Sequence, residues 1–174
     1  MRSIGPILLV ACMACGALRA QEPAADAPGA GTMAFRLEMR NGSGDYPMVV
    51  LWIEDADRQF VQTLRWFSKD RKYYKDLTTW TLRSSKAKEG RAELDAVTSA
   101  TIKWKATGEF SIPLRTSKYD LTKGGYRIRI ESRRDKGGHY RTFRIPIKAG
   151  FAGGVFEDKG YVKKVTIKIE GKQL

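Results

Sequence analysis

The sequence predicts a mainly β protein, an antiparallel, Ig-like β-sandwich with one short helical insertion. Short segments in which apolar and charged residues alternate recur along the chain, as they do in half-buried strands. Clusters of Gly, Asn and Asp separate these segments and suit hairpin turns. A single segment has apolar residues at helical spacing. Short strands with regular turns are typical of the sandwich class.

The first twenty residues have the order of a secretory signal peptide. Met1 and Arg2 give a positive start, residues 4–18 are apolar or small and carry no charge, and Ala20 ends the run. We expect cleavage after Ala20, with Ala17 as the second choice. The apolar run is too short to span a bilayer comfortably. We therefore expect a protein of the periplasm, or otherwise exported, with no transmembrane anchor after signal removal.

Cysteine usage and charge narrow the classes of function. Cys12 and Cys15 both lie in the leader, so we expect no disulfide, thiolate metal site or cysteine nucleophile in the mature chain. A lipoprotein box around Cys12 would leave an unusually short leader, so lipidation is not expected. The formal net charge of +13 fits either a solvated basic shell or attraction to an anionic partner. Nucleic acid is not an expected partner of an exported protein.

The first half of the predicted domain contains three strands. Residues 21–32 are a low-complexity stretch expected to be a flexible linker, which leaves 33–174 as a single domain. The first strand is predicted over the alternating residues 35–40. The second, Pro47–Glu54, is nearly all apolar and is predicted to be central and buried on both faces. Gln59–Phe67 is expected to pair with it as a hairpin.

The predicted helix follows the third strand. Ser68 is expected to cap it, and Ser84–Gly90 is expected to be a charged loop after it. The aromatic, apolar and small residues at helical spacing are Tyr73, Tyr74, Leu77, Trp80 and Thr81.

Strands resume in the second half of the chain. They are predicted over residues 108–114, 126–133, 143–147 and 165–169, with a hairpin turn at 135–138. The strand at 143–147 is expected at a sheet edge, because its proline cannot donate a ladder hydrogen bond. The core is predicted to contain Leu51, Trp52, Ile53, Trp80, Ile128, Ile130 and Ile167.

The chain offers little to a catalytic mechanism. His139 is the single histidine and lies at the predicted hairpin tip, where a surface residue is far commoner than a triad member. Glu54, Asp55 and Asp57 cluster without the spacing of a calcium loop, so we expect a solvated turn. The sequence therefore favours a non-catalytic protein. The tryptophans are expected mainly in the core, with a stacking wall for a planar ligand as the alternative; they are Trp52, Trp66, Trp80 and Trp104.

Residues 95–101, DAVTSAT, form a chemically distinct segment. Asp95 can cap local backbone N–H groups, and the small residues after it keep the chain slim. Thr101 can then present its hydroxyl to a modifying enzyme. The alternative is a capped turn leading into a strand, where Asp and Thr are common.

DAVTSAT resembles the acceptor motif of covalently flavinylated extracytoplasmic proteins: Asp, two variable residues, Ser or Thr, usually Gly, then Ala-Thr. The resemblance implies a phosphoester between flavin mononucleotide (FMN) and Thr101, installed from flavin adenine dinucleotide by a flavin transferase. Ser99 stands where the motif usually has Gly. The resemblance also implies redox partners in the periplasm or membrane, with Trp80 or Trp104 shielding the flavin ring. The other motif positions are matched by Asp95, Thr98 and Ala100.

A wider resemblance covers most of the mature domain. The order and spacing of its segments are similar to those of the predicted periplasmic proteins of domain-of-unknown-function family 2271, whose biochemical role is not established. The segments are Tyr46-Pro47, Val49–Asp55, Val61–Leu64, Trp66, Tyr74, Leu77, Trp80, the DAVTSAT segment, Gly125-Tyr126 and Ile130-Glu131.

Two functions remain open at this point. In the first, a periplasmic β-sandwich carries FMN on Thr101 and relays electrons between membrane and periplasmic partners. In the second, a cofactor-free extracytoplasmic binding or accessory module docks an acidic partner through its basic faces, and DAVTSAT is a structural turn.

Overall fold

The computed structural model describes residues 31–68, 71–134 and 141–171. Within these ranges the strands are, in chain order, β1 (Thr32–Met39), β2 (Pro47–Glu54), β3 (Phe60–Phe67), β4 (Thr98–Ser99), β5 (Thr107–Pro113), β6 (Tyr126–Arg134), β7 (Arg141–Ile147), β8 (Gly153–Glu157) and β9 (Val162–Glu170). The first sheet has the order β5-β1-β9-β8 and the second has the order β4-β3-β2-β6-β7. Their pairings are antiparallel except that of β3 with β4. The predicted mainly β sandwich is confirmed.

The two sheets bury one main core between them. Alternate residues of each strand point inward, as the two-residue period of a strand requires. The predicted core residues are all buried, most of them in this core and the two tryptophans on the opposite face of the second sheet. Apolar side chains in the main core include Phe35, Leu37, Leu51, Ile53, Ile128, Ile130, Val165 and Ile167.

Strand β2 is buried along its whole length, as predicted. It lies between β3 and β6, so both of its edges are hydrogen-bonded. One face meets the first sheet, and the other face is covered by helical residues. The covered face forms a second apolar cluster of Met48, Val50, Trp52, Trp66, Leu77 and Trp80.

The helical cover is more extensive than the single helix that the sequence predicts. It contains a 3₁₀ segment, Arg71–Asp76, then α1 (Thr78–Lys86) and α2 (Arg91–Val97). Ser68 was expected to cap the helix, but the N-cap residue of α1 is Leu77, whose side chain makes no capping hydrogen bond. The prediction of a loop over Ser84–Gly90 is also wrong for its first three residues, which belong to α1.

Strands β4 and β8 were not predicted from the sequence, because both are short and lack clear alternation. Strand β8 opens with Gly153, at a φ of 94°. A Cβ there would lie 2.4 Å from the carbonyl oxygen of Ile167 in β9, so only glycine fits this close approach. Strand β7 is the outermost strand of its sheet, which confirms the edge position inferred from Pro146.

Several predictions lie outside the described residues and stay predictions. They concern the signal peptide with Cys12 and Cys15, most of the linker, the hairpin turn at 135–138 and His139. The described part begins just before β1, which starts at Thr32.

Candidate functional site

The DAVTSAT segment crosses three kinds of local structure. Asp95 belongs to helix α2, Thr98 and Ser99 form strand β4, and Thr101 follows in a loop. The sequence predicts a turn here, and the helical start of the segment corrects that expectation. The helix begins favourably because the Gly90 N–H donates to Glu93 Oε2 at 3.2 Å, which satisfies a backbone group at its N-terminus.

The fold uses two of the three hydroxyl groups in this segment. Strand β4 runs parallel to β3, with Thr98 beside Trp66 and Ser99 beside Phe67. Thr98 Oγ1 donates to the Leu94 carbonyl at 2.7 Å, and Ser99 Oγ donates to the Trp66 carbonyl at 3.1 Å. These bonds fix the segment to α2 and to the edge of the second sheet.

Thr101 is placed differently from Thr98 and Ser99. It is half-buried, it follows the exposed Ala100, and no hydrogen bond joins its hydroxyl to the described part of the chain. Its neighbour Ile102 is 5 % exposed and lies so close to Gly108 that a Cβ there would be 2.7 Å from Ile102 Cδ1. Thr101 therefore lies on a short loop that is anchored on both sides, which suits a tethering residue.

The two tryptophans named as ring shields lie in different surroundings. Trp80 is 2 % exposed and packs edge-on against Trp66, with ring centroids 4.5 Å apart. Trp104 is half-buried, packs against Gly42, and lies edge-on to Tyr161 at 5.7 Å. Of the two, only Trp104 is accessible to a flavin at the surface.

A buried polar network lies beneath α1. Glu131 of β6 is fully buried, and its carboxylate accepts hydrogen bonds from the backbone N–H groups of Thr79 at 3.2 Å and Trp80 at 2.8 Å. These donors belong to the first turn of α1, where backbone N–H groups lack helical partners and negative charge is favoured. Glu131 thus caps the helix from a neighbouring strand, in place of the cap that Leu77 cannot provide.

A second carboxylate ties the end of α1 to β3. Glu89 accepts from the Thr63 backbone N–H at 2.7 Å and from Thr63 Oγ1 at 2.6 Å, and Trp80 Nε1 donates to the same hydroxyl oxygen at 2.8 Å. Burial raises the pKa of Glu89, against the lowering effect of the Thr63 hydrogen bonds. The network holds the helical cover on the sheet at both ends of α1.

Glu54 also differs from its sequence prediction. It was expected in a solvated acidic turn, but it is fully buried at the end of β2 and accepts from Trp52 Nε1 at 3.2 Å. Arg129 is 5 % exposed, with Nη1 3.8 Å from Glu54 Oε2. Among the described residues, no group of three or more His, Cys, Asp or Glu side chains could hold a metal ion.

Perturbed carboxyl groups in a cleft are candidates for acid–base chemistry. Burial raises the pKa of Glu131, and the Trp80 and Thr79 amides oppose it. Glu131 has no exposed surface, however, so no substrate reaches it in this conformation. We assign it a structural role. Sequence reasoning missed this role of Glu131 because Arg129 and Glu131 alternate with isoleucines, a pattern that is typical of a strand with one face exposed to solvent.

The raised pKa of Glu131 predicts a pH-dependent contribution to stability. A carboxyl whose folded pKa exceeds its ordinary 4.5 keeps its proton longer in the folded state, so its contribution to stability falls as the pH rises above about 4.5. The unfolding free energy of the wild type minus that of Glu131→Gln should therefore fall between about pH 4.5 and neutral, by about 1.4 kcal/mol per unit of raised pKa.

Chemical denaturation of both proteins across this pH range measures the difference. Glu157→Gln, at an exposed position on β8, is the matched control. A difference that stays constant or grows with rising pH would contradict the assignment.

A basic cleft lies on the outer face of the first sheet, the face opposite the core. It has a volume of about 550 Å³ and opens at the end of the sheet where β1 ends and where β5 and β9 begin. Sequence reasoning missed it because its residues come from three separate stretches of the chain. They are Arg36, Glu38, Met39, Arg40, Asn41, Lys105, Thr107 and Lys163.

Comparison with known proteins identifies one family. Residues 31–164 match the family described as predicted periplasmic protein (DUF2271). Neither the curated proteins nor the solved structures contain a match. No helix in the described ranges is both long and apolar enough to cross a membrane.

Proposed function

The chain belongs to the DUF2271 family of predicted periplasmic proteins, and we propose, from the DAVTSAT segment, that it carries FMN covalently on Thr101 and relays electrons between membrane and periplasmic partners. The observation that carries the proposal is the placement of Thr101. Its hydroxyl has no hydrogen bond within the described residues, whereas those of Thr98 and Ser99 are held by the fold.

The attachment chemistry needs a reachable hydroxyl. Thr101 Oγ1 would attack the phosphorus of the FMN half of flavin adenine dinucleotide. The new Oγ1–P bond would replace the P–O bond to the adenosine monophosphate half, which would leave, and the hydroxyl proton would pass to a base of the transferase or to water. The exposed Ala100 and the loop after β4 leave room for a transferase to approach. The bound flavin would supply the redox chemistry, and the chain would supply the tether and orientation.

The residues around Thr101 fit this group in part. The anchors on either side, β4 and the buried Ile102, would limit the positions that a tethered ring can take. Trp104 is the tryptophan that could contact the ring from the surface, whereas Trp80 is enclosed by the helical cover. An export setting favours a covalent bond, because a loosely held cofactor is lost by diffusion.

Mass spectrometry tests the proposal on the wild-type chain. We expect the protein isolated from its own periplasm, or co-expressed with an active flavin transferase, to carry one FMN. Trypsin cleavage after Arg91 and Lys103 yields residues 92–103, which contain Thr98, Ser99 and Thr101. Fragment spectra should place the added mass on Thr101. An unmodified peptide in both samples, with the transferase shown to act on another substrate, would overturn the proposal.

The alternative function predicts a different result in the same experiment. A cofactor-free accessory module would be colourless and of unmodified mass in both samples. The basic cleft is the observation that favours this alternative, since four cationic residues line it.

A further inference from the structure

We propose that the basic cleft binds a small anionic ligand that carries phosphate groups. None of its lining residues belongs to the DAVTSAT segment, so this inference does not depend on modification of Thr101. A volume of about 550 Å³ is within the range of small-molecule sites and exceeds the size of a single phosphate ion. The ligand class therefore includes small organic phosphates.

The charge balance of the cleft favours an anion. The cations in its lining come from β1, the segment after it, the loop before β5, and β9, and the lining carries one carboxylate, Glu38. Lys164 outside the lining lies 2.8 Å from Glu38 Oε1, and its hydrogen bond lowers the pKa of Glu38. Glu38 is thus paired with Lys164, and Arg36 is paired with Glu109 outside the lining. The remaining cations, Arg40, Lys105 and Lys163, leave the cleft with an excess of positive charge.

Both arginines of the cleft already donate hydrogen bonds to other parts of the chain. Arg40 donates through Nε to the Gly160 carbonyl at 2.8 Å and through Nη2 to the Asp158 carbonyl. Arg36 Nη1 donates to Glu109 at 2.7 Å. Both guanidinium groups, which bind carboxylate and phosphate alike, are therefore at least partly engaged.

Two lysines remain as compact point charges. Neither Lys105 nor Lys163 forms an ion pair with a residue that the structure describes, and both are exposed. Asn41 and Thr107 add an amide and a hydroxyl to the same lining. Rotating ammonium groups with neutral donors beside them suit the tetrahedral oxygens of phosphate.

Backbone hydrogen bonds hold the cleft in shape. The Lys105 N–H donates to the Arg40 carbonyl at 3.1 Å, and the Met39 N–H donates to the Ala106 carbonyl at 3.0 Å. Lys105 itself has a φ of 61°, a left-handed conformation that a lysine keeps only when its surroundings enforce it. The backbone of Lys105 is therefore fixed at the cleft before any ligand arrives.

Calorimetric titration of the purified exported protein with inorganic pyrophosphate tests the site. We expect saturable binding of one pyrophosphate per chain at low ionic strength, weakening as salt screens the charges. The double variant Lys105→Gln/Lys163→Gln should raise the dissociation constant about tenfold or more, since each removes a charge close to the ligand. The single variant Lys163→Gln, on β9 and outside the positive-φ positions of the described chain, should raise it by a smaller factor.

A control of equal charge separates a site from general attraction. Lys86 on α1 and Lys148 after β7 are exposed and do not line the cleft, so Lys86→Gln/Lys148→Gln lowers the net charge equally. Compared at about 0.1 M salt, it should change the dissociation constant less than about twofold, because exposed charges more than about 10 Å apart are then largely screened. Equal weakening by the two double variants, no saturable binding, or citrate binding as tightly as pyrophosphate would each overturn the proposal.

Discussion

Replacing Trp80 with Ala is expected to lower the free energy of unfolding by about 3–5 kcal/mol, in the range of fully buried aromatic truncations. The side chain is 2 % exposed and fills the second apolar cluster between α1 and β3. Its indole also donates to Thr63 Oγ1 at 2.8 Å, so truncation removes a buried hydrogen bond as well as apolar contact. The helical cover should lose much of its attachment to the sheet.

Trp104→Ala provides the matched comparison. Trp104 is half-buried and its Nε1 donates to the Gly44 carbonyl at the long distance of 3.4 Å, so we expect a loss below about 2 kcal/mol. Denaturant unfolding of both variants measures the two losses. If Trp80 were instead an accessible ring shield, its truncation would cost no more than that of Trp104, and the assignment to the core would fail.

The sequence predicts most of the sandwich because its strands obey simple burial rules. The continuous apolar run of β2 indicates two covered faces, and the structure supplies a sheet on one side and helices on the other. The proline of β7 places that strand at an edge. These inferences succeed because each depends on the chemistry of one segment and not on its partners.

The candidate sites depend on contacts between distant segments, which explains why the sequence does not predict them. Glu131 looks like a solvent-facing residue until α1, some fifty positions earlier, is placed over it. The sequence held one indication that Glu131 is buried. Strand β2 is predicted to be covered on both faces, so the outer face of the strand paired with it, β6, is expected to be covered as well. The basic cleft likewise joins residues from 36 to 163 that share no sequence pattern.

The structure also gives Ser99 a role that the motif comparison did not suggest. Glycine would be required at this position if the backbone needed a positive φ. Ser99 instead lies in β4, outside the positive-φ positions of the described chain, and its hydroxyl donates to the Trp66 carbonyl. The departure from the usual glycine is therefore compatible with the local backbone. Ser99→Gly should preserve or improve modification of Thr101, although it removes this hydrogen bond.

Thr101→Ala is expected to abolish flavin attachment completely, because it removes the oxygen that would form the phosphoester. Ser99→Gly is the matched control: it deletes a hydroxyl two residues away, one that is bonded to the Trp66 carbonyl and is not part of the usual motif, and should leave attachment intact. Thr101→Ser keeps a hydroxyl at the same position and should retain attachment. Mass spectrometry of residues 92–103 after co-expression with an active transferase reads out all three variants.

A stability measurement makes this comparison decisive. Thr101 lies in a loop and is half-buried, so its truncation should change the unfolding free energy by less than about 1 kcal/mol. A folded Thr101→Ala protein without flavin, beside a flavinylated Ser99→Gly protein, would locate the attachment chemistry at the Thr101 oxygen. A flavin that persists on Thr101→Ala would place the acceptor elsewhere in the segment and contradict the proposed function.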